Sequence, residues 1–297
     1  MKRCLIIVNA YSRLKSALNQ SARLKEEFAR LGVTADVRPN DFFPCAVEEG
    51  GTLSCSAENY DFCVYLDKDK YVARMLEKCG MRLFNSAAAI EDCDDKMLTS
   101  IKLADCGIPM PLTLPGLLCY TPGERVKESA LDEVERRLGY PVIVKASYGS
   151  LGSGVFKAEN RAQLEQIAQK LQCSPHLFER YVANSAGRDV RIITVGGKVV
   201  AAMLRQSGGD FRSNIELGGT GSPFVADGQL TALCQRVARH ICPDYCGIDV
   251  LFGEEGYLVC EVNSNAFFGG IERVTGVNVA KIYAQYMYDE VYGEGHR

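Results

Sequence analysis

The chain has 297 residues, of which 47% are hydrophobic, and its 34 basic and 37 acidic side chains leave a formal net charge of −3. This balance excludes a protein whose main partner is nucleic acid or an anionic membrane surface, because both favour a basic excess. The longest apolar runs, such as residues 5–8, are strand-sized and far below the about 20 residues of a membrane span. The first run ends at Asn9, so no signal peptide is predicted, and we expect a cytoplasmic protein.

The 13 cysteines raise the question of disulfides or of a metal site. Their odd number, the length of the chain and the lack of a CxxC pair favour reduced thiols. Cys242 and Cys246 lack a second ligand pair at zinc spacing. Since most cysteines lie within apolar runs, we predict buried, reduced side chains that pack as small hydrophobic residues.

The first ninety residues alternate between strand and helix patterns. Apolar residues between Leu14 and Leu31 recur at helical spacing, and Gly32 ends the helix. The remaining predicted elements of this region are strands at 3–8, 33–38, 61–66 and 81–84 and a helix at 71–79. This alternation predicts a small parallel α/β sheet, and the loop after the first strand has no GxGxxG, which disfavours a dinucleotide site.

Beyond residue 90, an acidic cluster at 91–95 precedes Lys96 and a helix pattern, and by itself it is typical of a solvated helix start. Residues 128–182 follow the order helix, strand, glycine loop, strand, helix, strand. Hairpins are predicted at 189–205 and 247–263, and an amphipathic helix near the end docks on the core.

A glycine loop follows the predicted strand at 141–145. Lys145 ends this strand, and glycines stand at 149, 152 and 154. Glycines allow backbone N–H groups to close over phosphate oxygens, and the lysine supplies a positive charge. On this hypothesis residues 148–154 form a mobile lid, and Lys145→Met abolishes nucleotide binding with little loss of stability. The alternative is a glycine-rich hairpin with an incidental lysine.

The hairpin at 247–263 carries acids within apolar strands. Asp249, Glu261 and Asn263 offer hard oxygen ligands, which suit Mg²⁺, whereas the alternative is an edge hairpin with one polar face. A three-residue loop at 254–256 would set Gly253 opposite Tyr257 and therefore Asp249 opposite Glu261. On that register the side chains facing the core are those of Val250, Cys260 and Val262.

A polar, glycine-rich segment covers residues 205–221. It is too polar for a core strand and long for a structureless loop, and such loops commonly carry function. Arg205 and Arg212 within it suit a substrate carboxylate or a transferring phosphoryl group, so we predict both as catalytic residues.

The order of these motifs resembles a known family. The glycine loop, the DFRSN segment at 210–214, the EVN strand at 261–263 and the ERVTG ending at 272–276 are similar to the ATP-grasp superfamily, and within it to the RimK-like ligases. These enzymes join glutamate or another amino acid to a peptide or small-molecule carboxylate. The matching stretch runs from Asp95 to Gly276, about 180 residues. The N-terminal ninety residues match only in general α/β character.

The resemblance implies site residues at positions that match the family. In relatives the lysine matching Lys145 contacts ATP phosphate, residues 178–182 form the adenine-binding hinge, and Arg205 lies near the reacting acyl group. The residues that the resemblance assigns to the nucleotide are Lys96, Lys145, Gly152, Gly154, Glu179, Arg180, Tyr181, Asp189, Arg212, Ser213 and Asn214. Those it assigns to the metal are Asp249, Glu261 and Asn263, with ATP and two Mg²⁺ or Mn²⁺ ions as cofactors.

One position departs from the family. Relatives have a glutamate directly before the hinge tyrosine, where this chain has Arg180, with Glu179 one place earlier. A shift by one residue would restore the acid; otherwise the adenine or ribose contact is altered.

The resemblance also implies the fold and the reaction. We expect an α/β N-terminal pre-ATP-grasp domain at 1–90 and a two-lobed, α+β ATP-grasp domain at 91–297, with a lid subdomain at about 108–180. The expected activity is ATP- and Mg²⁺-dependent ligation of a carboxylate to an amine through an acylphosphate. The alternatives are a non-catalytic ATP-binding sensor and a phosphotransferase acting on another acceptor. Neither nucleic acid nor membrane is an expected partner, and homo-oligomers remain an open alternative.

Overall fold

The computed structural model describes residues 1–150, 152–213 and 218–293. The helices of this part of the chain are α1 (Lys15–Arg30), α2 (Lys70–Lys78), α3 (Ala87–Asp94), α4 (Lys96–Leu103), α5 (Glu128–Leu138), α6 (Arg161–Leu171), α7 (Gly228–Ile241), α8 (Gly269–Thr275) and α9 (Val279–Tyr292). The strands are β1 (Arg3–Val8), β2 (Thr34–Pro39), β3 (Cys45–Val47), β4 (Leu53–Cys55), β5 (Phe62–Leu66), β6 (Leu83–Phe84), β7 (Thr113–Pro115), β8 (Val142–Ala146), β9 (Val155–Ala158), β10 (His176–Arg180), β11 (Arg188–Val195), β12 (Lys198–Gln206), β13 (Thr220–Pro223), β14 (Tyr245–Phe252) and β15 (Tyr257–Asn263).

The N-terminal sheet is parallel, as its strand and helix alternation predicts. Its order is β2-β1-β5-β6, and the predicted elements of this region lie within two residues of those observed. The central strands β1 and β5 are almost wholly buried, because helices and the rest of the chain cover both faces of the sheet. A hairpin of β3 and β4, which the pattern of the sequence did not predict, pairs only with itself.

The middle of the chain forms a smaller antiparallel unit. Its sheet order is β7-β10-β8-β9, and α5 and α6 cover one face with a core that includes Leu131, Leu164 and Phe178. This unit spans the region in which we expect the lid subdomain, and the glycine loop joins β8 to β9. The sheet therefore holds Lys145 and the hinge strand side by side, since β8 and β10 are neighbours.

The C-terminal sheet is antiparallel, with the order β13-β12-β11-β14-β15. Helix α7, which was not predicted, packs on one face of it with Leu230, Cys234 and Val237. The expectation that residues 205–221 form a loop is wrong at both ends, because Arg205 belongs to β12 and residues 220–221 belong to β13. The backbone N–H and C=O groups at the two ends of this segment form hydrogen bonds within the sheet, although the composition of the segment is typical of a loop.

One hydrophobic core connects the N-terminal and C-terminal sheets. It contains Ile6, Phe28 and Phe62 from the first sheet region together with Tyr245 and Tyr283 from the C-terminal part. Side chains from both sides of residue 90 thus pack in the same core. The domain boundary at this residue stays a prediction.

All 13 cysteines are free, and most are buried or half-buried, but Cys79 and Cys173 are exposed. The prediction of buried thiols is therefore wrong for these two. Across the described ranges, every helix is too short or too polar to span a bilayer.

Candidate active site

The β14–β15 hairpin places its acidic residues opposite one another. Asp249 pairs with Glu261 and Gly247 with Asn263, so the predicted alignment of the two acids is confirmed. The predicted loop is wrong, because Phe252 rather than Gly253 pairs with Tyr257, which makes a four-residue loop. A register shift between Asp249 and Val250 compensates for the extra residue and returns both acids to the same face.

The same shift redirects Cys260. Asp249 pairs with Glu261 and Val250 with Val259, so Cys260 is the extra residue of the bulge. Its sulfur lies 3.5 Å from Nζ of Lys145, and its side chain lines a cavity, so the expectation that Cys260 faces the core is wrong. Val250 and Val262 are buried in the core as expected. Burial raises the pKa of the Cys260 thiol to about 12, although the charge of Lys145 opposes this, so it is a neutral side chain at pH 7.

Asp249 is a buried carboxylate held by two arginines. Arg191 donates to both of its oxygens from the neighbouring strand β11, and Nη2 of Arg205 lies 3.0 Å from Oδ2. Burial by itself would raise the pKa of Asp249, but the charges of the two guanidinium groups outweigh it and lower the pKa below its usual range. Asp249 therefore stays ionised at neutral pH.

Arg205 also binds Asp189. Its Nε lies 2.7 Å from Oδ1 of Asp189, and its Nη2 contacts the other oxygen at 2.5 Å, in a bidentate pair between adjacent strands β11 and β12. Burial disfavours the charge of Arg205, but Asp249 and Asp189 together raise its pKa, so the guanidinium keeps its charge. Asp189, Arg205 and Asp249 thus form one buried network.

Lys145 and Glu179 form a second buried pair. Nζ of Lys145 lies 2.7 Å from Oε1 of Glu179, because β8 and β10 lie side by side. Burial disfavours the lysine charge, yet neighbouring acidic groups, among them Glu179, raise the pKa of Lys145 overall. Both side chains line a cavity of about 110 Å³.

Lys96 binds the backbone of the glycine loop. It is the first residue of α4, and its buried Nζ donates to the carbonyl oxygen of Gly149 at 2.9 Å. Its backbone N–H donates to Ser147, and Nζ lies 3.8 Å from Oε1 of Glu261. The acidic cluster before it includes the helix cap, since Asp95 accepts from two backbone N–H groups of the first turn.

The loop at 207–213 also contacts the glycine loop. Arg212 pairs with Asp210 and donates from Nη1 to the carbonyl oxygen of Gly152 at 2.9 Å. Ser213 is buried and lines the same cavity as Lys145, whereas Asn214, also predicted to bind nucleotide, lies outside the described residues. Gly154 has φ +76° and accepts from Ala146, so it shapes the loop without lining the cavity.

At the hinge, Glu179 and Arg180 both line the cavity, and the carboxylate of Glu179 binds Lys145 there. The guanidinium of Arg180 is exposed and donates to the carbonyl oxygen of Arg137 at 2.8 Å. Tyr181 lines the cavity, and Nζ of Lys157 lies 4.6 Å from its ring centre. The acid is thus present at the hinge, one residue earlier than in the family pattern.

A second cavity, of about 310 Å³, adjoins the β14–β15 hairpin. Its walls combine N-terminal residues with the C-terminal sheet and α8; among them are Asn9, Gln20, Asp67, Lys68, Arg191, Asn263, Asn265 and Arg273. Arg205, Asp249 and Glu261 line both cavities. The two cavities therefore meet at these three side chains, and a group bound in one cavity could react there with a group bound in the other.

The proposed metal ligands fit a hard divalent ion. Asp249, Glu261 and Asn263 line the same cavity and offer carboxylate and amide oxygens, the donors that Mg²⁺ prefers. The Asp249 carboxylate is ionised, but Arg191 and Arg205 already donate to its oxygens, whereas the Glu261 side chain is 24% exposed and lies 3.8 Å from Nζ of Lys96. An ion would thus not have to displace a proton from Asp249, but it would have to share the oxygens of this carboxylate with the two arginines or displace them.

Sequence reasoning missed Arg191. It lies in the buried strand β11, two residues after Asp189 and directly opposite Asp249. A charged residue within an apolar strand was the signal that singled out Asp249, and Arg191 shows the same signal. Gln20, Lys68 and Arg273 were also missed, because their approach to the second cavity depends on packing between distant parts of the chain.

Comparison with known proteins identifies relatives over most of this site. A family model for the RimK-like ATP-grasp domain matches residues 93–287. N-acetylaspartylglutamate synthase A of Homo sapiens is 38% identical over 228 residues, which make up 75% of this chain and 56% of that protein. The ribosomal protein bS6–L-glutamate ligase of Escherichia fergusonii is 34% identical over 210 residues, 70% of this chain and 67% of that protein. This chain thus spans little more than half the length of the human relative.

The fold has relatives among solved structures. The crystal structure of a RimK domain ATP-grasp protein from Sphaerobacter thermophilus matches with a TM-score of 0.73 at 21% identity, covering 96% of this chain and 98% of that one. The match extends over the N-terminal region, for which the sequence motifs carried no resemblance. The expected α/β and α+β architecture is therefore confirmed.

Proposed function

Because the chain belongs to the RimK-like ATP-grasp family, we propose that it joins a carboxylate to an amine with conversion of ATP to ADP. The carboxylate attacks the γ-phosphate to give an acylphosphate and ADP, and the amine then displaces phosphate to form an amide. The observation that carries this proposal is the wall of Arg205, Asp249 and Glu261 shared by the two cavities. It supports a nucleotide on one side and the acceptor on the other, with the γ-phosphate between them.

The first cavity suits the nucleotide. Lys145, Arg212 and the glycine loop would bind phosphate oxygens, and the hinge at 178–182 would hold the base. Since Arg212 already contacts Gly152, movement of this loop and of the 207–213 loop would be coupled. Closure of the loop as a lid stays a prediction of this proposal.

The metal ligands complete the phosphate site. Asp249, Glu261 and Asn263 would hold Mg²⁺, two ions in our proposal, which would supply positive charge to the phosphate groups. Arg205 keeps its charge at the same wall and would stabilise the negative charge that develops at the transferring phosphoryl and acyl groups.

The second cavity suits an acidic acceptor and an amino acid. Lys68 and Arg273 line it as cations, and both relatives named above carry glutamate in their names. Glutamate is therefore the amine that we propose to test first, together with carboxylate-bearing peptides and small acids.

The reaction is tested by supplying ATP, Mg²⁺, glutamate and pooled carboxylates and measuring ADP and products by mass spectrometry. We expect ADP with an amide, and with hydroxylamine in place of the amine we expect a hydroxamate, because hydroxylamine traps acylphosphates. ADP with a stable phosphorylated acceptor would instead indicate a phosphotransferase. ATP binding without turnover on any acceptor would indicate a sensor.

Glu261→Gln tests the metal assignment. Its side chain is partly exposed, but the ammonium of its nearest cation, Lys96 at 3.8 Å, is buried, so loss of this ion pair also lowers stability. We expect Mg²⁺-dependent ADP formation to fall about 100-fold or more, a far larger effect than the fall in melting temperature. Unaltered activity at limiting Mg²⁺ would remove Glu261 from the metal site.

A further inference from the structure

Three cysteines from distant positions converge in the N-terminal region. Cys45 in β3 and Cys55 in β4 are paired directly across the hairpin, and Cys79 directly follows the last residue of α2. The three sulfur atoms all lie within 4.8 Å of one another. The cluster lies apart from both cavities described above, because none of the three residues lines them.

The cluster has a buried side and an open side. Cys45 is buried, Cys55 is half-buried and Cys79 is exposed, so the cluster opens to solvent at Cys79. Burial, followed by the neighbouring thiol of Cys55, raises the pKa of Cys45 to about 12. The convergence of thiols therefore opposes ionisation in the absence of a cation, and a bound cation would reverse this.

The hairpin that carries two of these cysteines is held to the N-terminal region by the packing of Cys45 in a core that includes Leu76 of α2. It forms a two-stranded sheet that pairs with no other strand in the described ranges, and such hairpins are marginally stable alone. An ion shared with Cys79 would join this hairpin to α2. A disulfide between Cys45 and Cys55 would link only the two strands, and it would not involve the third thiol, that of Cys79, which also lies within 4.8 Å of both.

We propose that Cys45, Cys55 and Cys79 bind a thiophilic divalent ion of the Zn²⁺ class, with solvent in the fourth position. Zinc–thiolate bonds of about 2.3 Å place tetrahedral sulfur ligands roughly 3.8 Å apart, which the observed spacing accommodates with little movement. Binding converts three thiols into three thiolates, so one ion enters and three protons leave. The site stabilises the hairpin and has no part in the proposed ligase chemistry.

The test uses the full chain, reduced and freed of metal, with Co²⁺ as a spectroscopic probe and excess Mg²⁺ to occupy carboxylate sites. We expect sulfur-to-cobalt charge-transfer absorption that saturates at one equivalent and is abolished by Zn²⁺. Cys79→Ser and Cys55→Ser should weaken binding about tenfold or more. Cys106→Ser is the matched control, since Cys106 is also half-buried but lies outside the cluster.

A second readout is thermal unfolding, in which Zn²⁺ should raise the melting temperature of the wild type and of Cys106→Ser but not of Cys79→Ser. Because Cys79 is exposed, its replacement leaves a folded protein even where that of the buried Cys45 does not. Absence of the charge-transfer band in the reduced wild type, or an equal band in Cys79→Ser, would overturn the proposal. A Cys45–Cys55 disulfide that forms in air while the reduced protein binds no ion would do the same.

Discussion

Lys145 carries its charge inside the protein, where the carboxylate of Glu179 lies 2.7 Å from its Nζ. Water cannot solvate either group well, so each depends on the other for its stability in the ionised form. A bound phosphate would compete with Glu179 for the same ammonium group. We infer that the pair maintains the lysine in its charged form until the nucleotide arrives.

Replacement of Lys145 by methionine should therefore affect both binding and folding. We expect nucleotide binding to be lost, and the free energy of unfolding to fall by about 3–5 kcal/mol because Glu179 is left buried and unpaired. This revises the expectation from sequence of nearly unchanged stability. Calorimetric titration with ATP and urea unfolding measure the two effects.

The double variant Lys145→Met with Glu179→Gln separates the two roles. Because it removes both charges of this pair, no carboxylate is left there without its partner, so most of the lost stability should return, whereas nucleotide binding should not. Ordinary ATP affinity in either folded variant would show that Lys145 does not bind phosphate.

At the scale of elements, the loop at 207–213 is attached to the start of β11 through Gly187. Its N–H donates to Phe211, and its carbonyl oxygen accepts from Ser207. Gly187 has φ +65°, and a Cβ atom there would lie 2.9 Å from the carbonyl oxygen of Asp210. Since Asp210 orients Arg212, the glycine allows the close approach that aligns Arg212 with the glycine loop.

Gly187→Ala should weaken ATP binding as well as stability. The left-handed backbone costs an alanine about 1–2 kcal/mol, and the contact with Asp210 forces the loop to shift. Gly123→Ala is the control, because Gly123 also has a positive φ of +92° but open space around the Cβ position. We expect both variants to lower the free energy of unfolding to a similar extent, but only Gly187→Ala to raise the KM for ATP. Equal KM values in the two variants would contradict the role of this contact.

At the scale of the whole molecule, α1 and α9 are joined although they lie some 250 residues apart in the chain. Glu27 on α1 accepts from the side chain of Asn278 at 3.0 Å, and Asn278 in turn caps α9 through the N–H of Lys281. Burial by itself raises the pKa of Glu27, but hydrogen bonds from Asn278 and Arg30 outweigh it and lower the pKa. The ionised carboxylate thus helps to fix the last helix of the core against the first.

The sign of this shift predicts a pH dependence. A carboxylate whose pKa is lowered in the folded state stabilises it above the unfolded pKa of about 4.3, and this stabilisation is lost as the pH falls through the folded pKa. We expect Glu27→Gln to lower the free energy of unfolding at pH 7 by about 1–3 kcal/mol, with the difference shrinking on acidification. Urea unfolding from pH 7 down to pH 3 measures it.

Glu26→Gln provides the matched control for this series. Glu26 is an exposed neighbour on the same helix, 3.8 Å from Arg23, and an ion pair of that kind contributes little. A constant difference between Glu27→Gln and wild type across the whole pH range would show that the charge of Glu27 is not what stabilises the contact.

Local pattern sufficed for much of the architecture and for part of the site. The parallel first sheet, the hairpins and Lys145 near the end of β8 follow from the alternation of apolar and polar residues, because periodicity reports which face of a strand is buried. The pairing of Asp249 with Glu261 was predicted from a three-residue loop, whereas the structure reaches it with a four-residue loop and a bulge. The order of motifs then identified the family, which the family model confirms.

Tertiary structure decided the rest. The bulge that directs Cys260 to Lys145, the β3–β4 hairpin and the approach of Cys79 to Cys45 all depend on how the strands and helices pack against one another. Such contacts leave no periodic trace in the residues that make them, since each strand or helix has the same local pattern whichever partner it packs against. Charged and sulfur-bearing side chains therefore acquired their partners only when the sheets and helices were assembled.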